Sequence, residues 1–281
     1  MKPRVLSLSP GATDALHAIG AGELLVGEGP PGAGDVFADR LAALAPDVVL
    51  VHDDAAARPA IAQFAGAMPS SVRIVRVRAA TIEGVLDDML RIGEAVGMER
   101  EAARAVVALR ERLFAAEEAV NPYEEGPIVV FLESLEPLVV AGGVVAQLLE
   151  RAGAGHPLNP TRPRDGAGAA VGPQRGERTA PPARVVSHGD VTRHAPDAVV
   201  VCVPRVGVDE AAASVRGLAE QPWWRSLPAV ARGRVAVVDG DGPFTLVGPR
   251  LVDAFEWLVG WLHERPAMMP GAIRWRGVDD R

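Results

Sequence analysis

The 281-residue chain has one cysteine, Cys202, and one tyrosine, and aromatic residues make up only 4% of it. A single thiol excludes an internal disulfide framework. Its position inside the apolar run 199–203 reads as a buried, inert side chain. Basic charge is also short: 29 Lys and Arg against 36 Asp and Glu, a formal net charge of −7. That balance argues against a nucleic-acid partner, which needs a basic face. No apolar stretch reaches the ~20 residues of a membrane span, so no membrane insertion is expected. The opening MKPRVLSLSPGATDALHAIG lacks the unbroken apolar run of about 7–15 residues of a secretory signal, because Ser7, Ser9, Asp14 and Pro10-Gly11 interrupt it. No lipobox cysteine follows. The chain as written is therefore expected to be cytoplasmic, or periplasmic if its true N-terminus lies upstream. The glycine-rich pieces lack the Gly-Lys-Ser/Thr ending of a phosphate-binding loop. The histidines His17, His52, His156, His188 and His194 form no close pair at helical or loop spacing, so no metal site is expected, and His52 of the run His52-Asp53-Asp54 reads as plainly exposed. No nucleophile–base pair or carboxylate dyad stands out. No catalytic residue is nominated, and the chain is not read as an enzyme.

What the sequence does have is a large apolar fraction, 48%, enough to fill one large domain or two lobes. It is arranged in alternation. Strands are expected at 4–8, 24–27, 47–51 and 73–77. Helices are expected at 14–19 (with Thr13 as N-cap), 37–44 and 55–67. From 81 to 120 the strand signal stops. Ile82, Val85, Leu86, Met89, Leu90, Ile92 and Val96 fall at helical spacing, Gly97 breaks the stripe, and a second helix of about 22 residues, ~33 Å long, runs over 99–120. The alternation then restarts, with strands at 128–132, 184–187, 199–203 and 235–238 and helices at 144–152, 209–220 and 248–263. Residues 157–182 are rich in Pro, Gly and Arg and read as a loop insertion. Trp223, Trp224, Trp257 and Trp261 read as packing residues, the last two being four apart on one helix. The tail after Pro266 reads as loosely held.

The two halves repeat each other. LAPDVVLVH at 44–52 and HAPDAVVVC at 194–202 are both Ala-Pro-Asp followed by a buried strand, with Pro46 and Pro196 ending a helix before it. HAIGAG at 17–22 resembles ERAGAG at 150–155 as a helix end. This weak duplication predicts an α/β fold: two Rossmann-like lobes with parallel sheets joined by a long linking helix. The expected division is 1–80, a helical linker 81–121, 122–265 and a tail 266–281. Parallel sheets bind ligands beyond the carboxyl ends of their strands, so a ligand cleft between the lobes is expected.

RVLSLSPGATDALHAIGAGELLVG is similar to the opening of the class III substrate-binding proteins of ABC importers, which capture cobalamin and iron–siderophores. LAALAPDVVLV resembles the family's third strand and its lead-in, FLESLEPLVVAGG the start of its second lobe, and WWRSLPAVARGRVAVVDGD and GPRLVDAFEWLVGWLH its end. The likeness runs from about residue 4 to 263, apart from 157–182, and is nearest to the cobalamin-binding branch. It implies a non-enzymatic protein that captures a corrinoid-like small molecule, cobalamin being the expected ligand, with no cofactor. It also implies an ABC permease as partner, docked through acidic residues on each lobe.

Carried onto this chain, the resemblance nominates Ser9, Pro10 and Gly11 at the end of the first strand, Glu133 and Ser134 after the first strand of the second lobe, and Phe244, Thr245 and Arg250 near the last helix. Each has a plain reading beside it. Ser9–Gly11 also fits an ordinary strand–helix turn, Glu133 and Glu136 a solvated rim, and Arg250 a clamp on backbone carbonyls. Ser134, Val139, Gly143 and Val144 occupy positions where the branch carries aromatic residues and histidine. Pro243, Thr245, Leu246 and Val247 replace a second polar and aromatic run. A flat ring is normally gripped by aromatic faces, so the alternative is a diverged paralogue with a lost or changed ligand, siderophore-like or a protein-interaction role.

Overall fold

The structure is a computed structural model and describes residues 2–29, 43–53, 69–121, 123–163 and 178–278. The chain folds as two compact α/β units. One comprises Met1–Glu111 with Leu246–Leu251, the other Arg112–Thr245 with Val252–Arg281.

The first unit contains β1 (Val5–Ser7), α1 (Pro10–Ala18), β2 (Leu25–Glu28), β3 (Val48–His52), β4 (Arg73–Val77), α2 (Ile82–Val96) and the beginning of α3 (Glu99–Glu117). Its sheet is parallel throughout, in the order β2-β1-β3-β4. Leu6, Leu8, Val49 and Val51 form a core on one face of the sheet, and α2 packs on α1 and β4. The expected break at Gly97 is present. Gly97 takes φ 74° at the end of α2, a left-handed turn that favours glycine. At the other end, the Thr81 hydroxyl accepts from the Gly84 amide at 2.9 Å. The helices expected at 37–44 and 55–67 fall on or across residues outside those described.

The second unit contains β5 (Val129–Leu135), β6 (Leu138–Val140), α4 (Gly143–Arg151), β7 (Arg162–Pro163), β8 (Arg178–Thr179), β9 (Arg184–Val185), α5 (His188–His194), β10 (Ala198–Val201), α6 (Val208–Arg216), α7 (Pro222–Arg225), α8 (Pro228–Ala231), β11 (Val235–Val238), α9 (Leu251–Leu262) and β12 (Trp275–Gly277). Its six-stranded sheet runs β12-β11-β10-β5-β6-β9. The centre, β11-β10-β5, is parallel as expected. The flanks are antiparallel, so a parallel centre sits in a mixed sheet. The cause is local: β5 continues to Leu135 and turns back at once through Glu136-Pro137 into β6, and so short a connection permits only an antiparallel partner. Alternate residues Val130, Leu132, Val199, Val201, Val235 and Val237 pack with α6 and Trp224 in the main core.

One expectation about an irregular segment is corrected. The tail is held rather than loose. β12 pairs with β11, Ile273 is buried, and the Trp275 ring meets Trp257 edge-on at 5.7 Å. The described ends of the 157–182 insertion are also fixed. β7 pairs with β8, and the Glu150 carboxylate accepts from the Thr161 amide (2.8 Å) and Arg178 Nε (3.1 Å).

The sequence repeat is a structural repeat. Ala45 and Ala195 both adopt positive φ, 37° and 43°, and Pro46 and Pro196 are both buried. The Asp47 carboxylate accepts from the Arg4 amide at 2.8 Å, and Asp197 accepts from the Ile128 amide at 3.0 Å. Each Ala-Pro-Asp thus ties the start of its own strand to the chain leading into the neighbouring one. The helix ends match too: Gly20 and Gly153 have φ of 77° and 79°. Ala21 N donates to Leu16 O, and Ala154 N to Leu149 O, at 2.8 and 2.9 Å.

Candidate functional site

Chain order places the ends of β1, β3 and β4 on one edge of the first sheet, where doubly wound folds bind ligands. Here that edge is largely filled. α1 begins at Pro10, not at 14 as expected, because proline's missing N–H and fixed φ suit the first helical position. Ser9 is the N-cap and is buried. Its carbonyl accepts from the Thr13 amide and from the Ser7 hydroxyl, both at 3.0 Å. Gly11 lies so close to the 247–248 segment that a Cβ would sit 1.8 Å from the Val247 carbonyl oxygen. Of the three candidates here, only Pro10 is exposed. Arg250 points its guanidinium toward Asp14, 4.0 Å from Oδ2, with its side chain 42% exposed.

The cavity left on this edge is lined by Gly11, Ala12, His52, Asp88 and Gly248 and has a volume of about 10 Å³, room for a single water. The Asp88 carboxylate accepts from the Arg78 and Ala79 amides, both at 3.0 Å. Burial nevertheless keeps its pKa above the usual carboxylate range, against the pull of Arg91. Asp53, its side chain buried, is paired with Arg78 through Nε at 2.7 Å and Nη2 at 2.6 Å. Among the described residues no group of three or more His, Cys, Asp or Glu side chains converges to hold a metal ion.

The second unit is different. At the carboxyl ends of β5 and β10 lies a pocket of about 220 Å³. Phe131, Val144, Val145, Pro204 and Phe244 make its walls, and Glu133, Cys202 and Thr245 supply its side-chain polar atoms. Three candidates, Glu133, Phe244 and Thr245, are therefore brought together. Ser134 lies next to Glu133 in β5 but is not among the residues that line the pocket. Sequence reading treated Cys202 only as core and Val144 only as a lost contact. Both line the pocket, and the signal for Cys202 was its place at the end of the repeated strand.

The pocket wall is fixed from behind. Phe244 is buried, its ring 5.3 Å from Phe131 and 5.7 Å edge-on from Trp257, which in turn stacks on Trp261. The Thr245 hydroxyl is turned inward to the carbonyls of Gly240 and Gly242, at 2.7 and 3.0 Å. Cys202 is fully buried, with Sγ 3.6 Å from the Asp239 carbonyl. Burial first, then the negative charges of Glu133 and Asp239, push its thiol up to about 12, so it is no nucleophile at neutral pH.

Glu133 was expected after the strand but lies within it. The pairing of β5 with β6 is irregular between Leu132, opposite Val140, and Ser134, opposite Val139. Glu133 is the extra, unpaired residue of a β-bulge and keeps the facing of Phe131, two residues before it. It is half-buried, and burial alone raises its pKa. Among the described residues no cation or N–H group pairs with its carboxylate.

Comparison with known proteins agrees with the resemblance seen in the sequence. The family described as periplasmic binding protein matches residues 24–241. No curated protein matches significantly. Among solved structures, the chain is similar to a periplasmic heme-binding protein from Pseudomonas aeruginosa (22% identity, TM-score 0.69, 94% of each chain covered). It is also similar to the periplasmic vitamin B12 binding protein of Vibrio cholerae (17%, 0.66, 94% of this chain and 98% of that one). A third is the apo form of a periplasmic heme-binding protein from Roseiflexus sp. RS-1 (19%, 0.71, 94% and 99%). These likenesses extend over nearly the whole of each chain and concern the fold. Among the described residues no helix is long and apolar enough to cross a membrane.

Proposed function

The chain belongs to the periplasmic binding protein family, and on that premise we propose that it captures a corrinoid-type small molecule and delivers it to an ABC permease from outside the cytoplasmic membrane. The carrying observation is the pocket at the carboxyl ends of β5 and β10, where Glu133, Phe244 and Thr245 meet. An apolar wall with a few fixed polar groups is the usual make-up of a small-molecule site. Its contents favour binding over chemistry: the thiol is held protonated, the hydroxyl is engaged with backbone carbonyls, and among the described residues the carboxylate has no partner acid or base beside it. The vitamin B12 binding protein among the similar structures supports a corrinoid. The heme-binding ones make a porphyrin the first competitor, and an iron–siderophore is the second.

Calorimetric titration with cyanocobalamin, hemin and ferrioxamine B separates these. The expected result is cyanocobalamin binding tighter than ~100 μM, about 5.5 kcal/mol of binding free energy, weakened by Phe244→Ala. Binding of hemin or ferrioxamine B alone reassigns the ligand. Failure of all three at that concentration overturns the reading.

A further inference from the structure

We propose that the second unit's pocket selects its ligand by charge, with Glu133 accepting from a cationic or amide N–H group and excluding molecules that present a carboxylate. This rests on the pocket being the ligand site, as proposed above, and narrows the class of molecule it takes.

The polar inventory of the pocket points one way. Thr245 has turned its one hydroxyl proton to the Gly240 and Gly242 carbonyls. Cys202 lies against the Asp239 carbonyl. The side-chain polar group left facing the pocket is the Glu133 carboxylate, an acceptor with about four lone-pair sites and, among the described residues, no donor. The walls around it, Phe131, Val144, Val145 and Phe244, are apolar, so the carboxylate stands in a medium that solvates it poorly. A ligand N–H offsets that cost, and a positive charge offsets it most. A ligand carboxylate adds a like charge to a site already short of solvation.

Size sets how much of the ligand is read. About 220 Å³ falls below the 300–1,000 Å³ that encloses a drug-sized molecule. The pocket therefore takes one peripheral group with its adjoining apolar edge, not a whole macrocycle. A macrocycle rimmed with primary amides meets the requirement, and one rimmed with carboxylates does not.

A ladder of planar probes of nearly one shape tests this: benzamidine, benzamide and benzoate, charged +1, 0 and −1 at pH 7.5. Binding is followed by protein-observed NMR, with shifts at the Gly142, Val144 and Val145 amides locating the probe. Benzamidine is expected to bind about tenfold or more tighter than benzamide, the weight of one charge-assisted hydrogen bond, with benzoate weakest. Glu133→Gln should bring the first two within about threefold. Glu133→Asp, which keeps the charge, should preserve the order and shows that the loss in the glutamine variant is not misfolding. Benzoate binding as well as benzamidine overturns the proposal. So does an unchanged order in Glu133→Gln, or no binding of benzamidine to the parent at about 10 mM, the affinity a nine-atom fragment should reach. The ladder stands apart from the cobalamin titration. An intact ladder with no cobalamin binding retires the corrinoid reading alone, and a flat ladder with cobalamin bound retires the charge selection alone.

Discussion

Replacing Gly11 by alanine sets two effects of opposite sign against each other, and the structure decides between them. Gly11 is the second residue of α1. At a helical position alanine is favoured over glycine by about 0.5–1 kcal/mol, because glycine loses more chain entropy on folding. The added methyl, however, would lie 1.8 Å from the Val247 carbonyl oxygen and 2.8 Å from its carbon. Backbone atoms cannot swing aside as a side-chain end does. Either α1 or the 246–251 segment must shift by about 1.5 Å, and overpacking of this kind costs about 1–3 kcal/mol or more. The expected net result is destabilisation by about 1–2 kcal/mol. Gly189 supplies the matched control. It is the second residue of α5, and a Cβ there meets only the Ser187 hydroxyl oxygen, at an ordinary 3.7 Å. Gly189→Ala should therefore stabilise by about 0.5–1 kcal/mol. Urea unfolding followed by circular dichroism reads both, as midpoints moving in opposite directions at constant slope. A Gly11→Ala protein as stable as the parent, or more so, would show that the close approach of the 247–248 segment does not constrain α1.

Burial raises the Glu133 pKa in the folded state, so its contribution favours folding below the unfolded value near 4.3 and is lost as pH rises through the folded value. Glu133→Gln does not titrate and should gain stability on the parent between pH 4 and pH 8 in paired urea melts. Asp88 is raised as well but is common to both proteins and cancels; a constant difference across that range refutes the assignment. Ile273→Ala removes a side chain 6% exposed from a segment that reads as loose in sequence, and should cost about 2–3 kcal/mol by the same melts. A loss below ~0.5 kcal/mol would mean that the tail is not docked. Cys202, with its thiol at about 12, should resist a thiol reagent at pH 8 while folded and react fully in urea.

Most of the scaffold was legible because it is written in short-range patterns. The Ala-Pro-Asp repeat identified two equivalent central strands, and the structure adds that Asp47 and Asp197 perform the same amide contact in each unit. Gly97, Gly20 and Gly153 mark helix ends, because positive φ is a local demand that glycine answers. What escaped depends on partners distant in sequence. Ser-Pro-Gly reads equally as a turn or as a helix start, and only the contact between Gly11 and Val247 explains a glycine inside α1. Glu133 reads as a loop residue because β5 outlasts its apolar run, and its last residues are held by pairing with β6 rather than by hydrophobicity. Trp275 shows no strand signal of its own. It is ordered by β11 and by the ring of Trp257.

The two copies of the repeat end differently, one beside a pocket of about 220 Å³ and the other beside a cavity of about 10 Å³. β3 and β10 enter their sheets through the same motif and diverge only on leaving. β3 runs into His52-Asp53, and the Asp53 carboxylate is taken up at once by Arg78 from the adjacent strand end, at 2.6–2.7 Å. The charge placed there is neutralised from within, and the remaining space holds about one water. β10 runs into Cys202-Val203-Pro204, which brings no charge, and the carboxylate beside it comes from the bulged neighbour β5 and, among the described residues, has no arginine to meet it. The duplicated scaffold thus pairs its carboxylate with an arginine at one strand end and, among the described residues, leaves the carboxylate beside the other without a cation. If the proposed ligand site is correct, its specificity rests on Glu133, contributed by β5 beside the second copy of the repeat, and on the apolar walls around it.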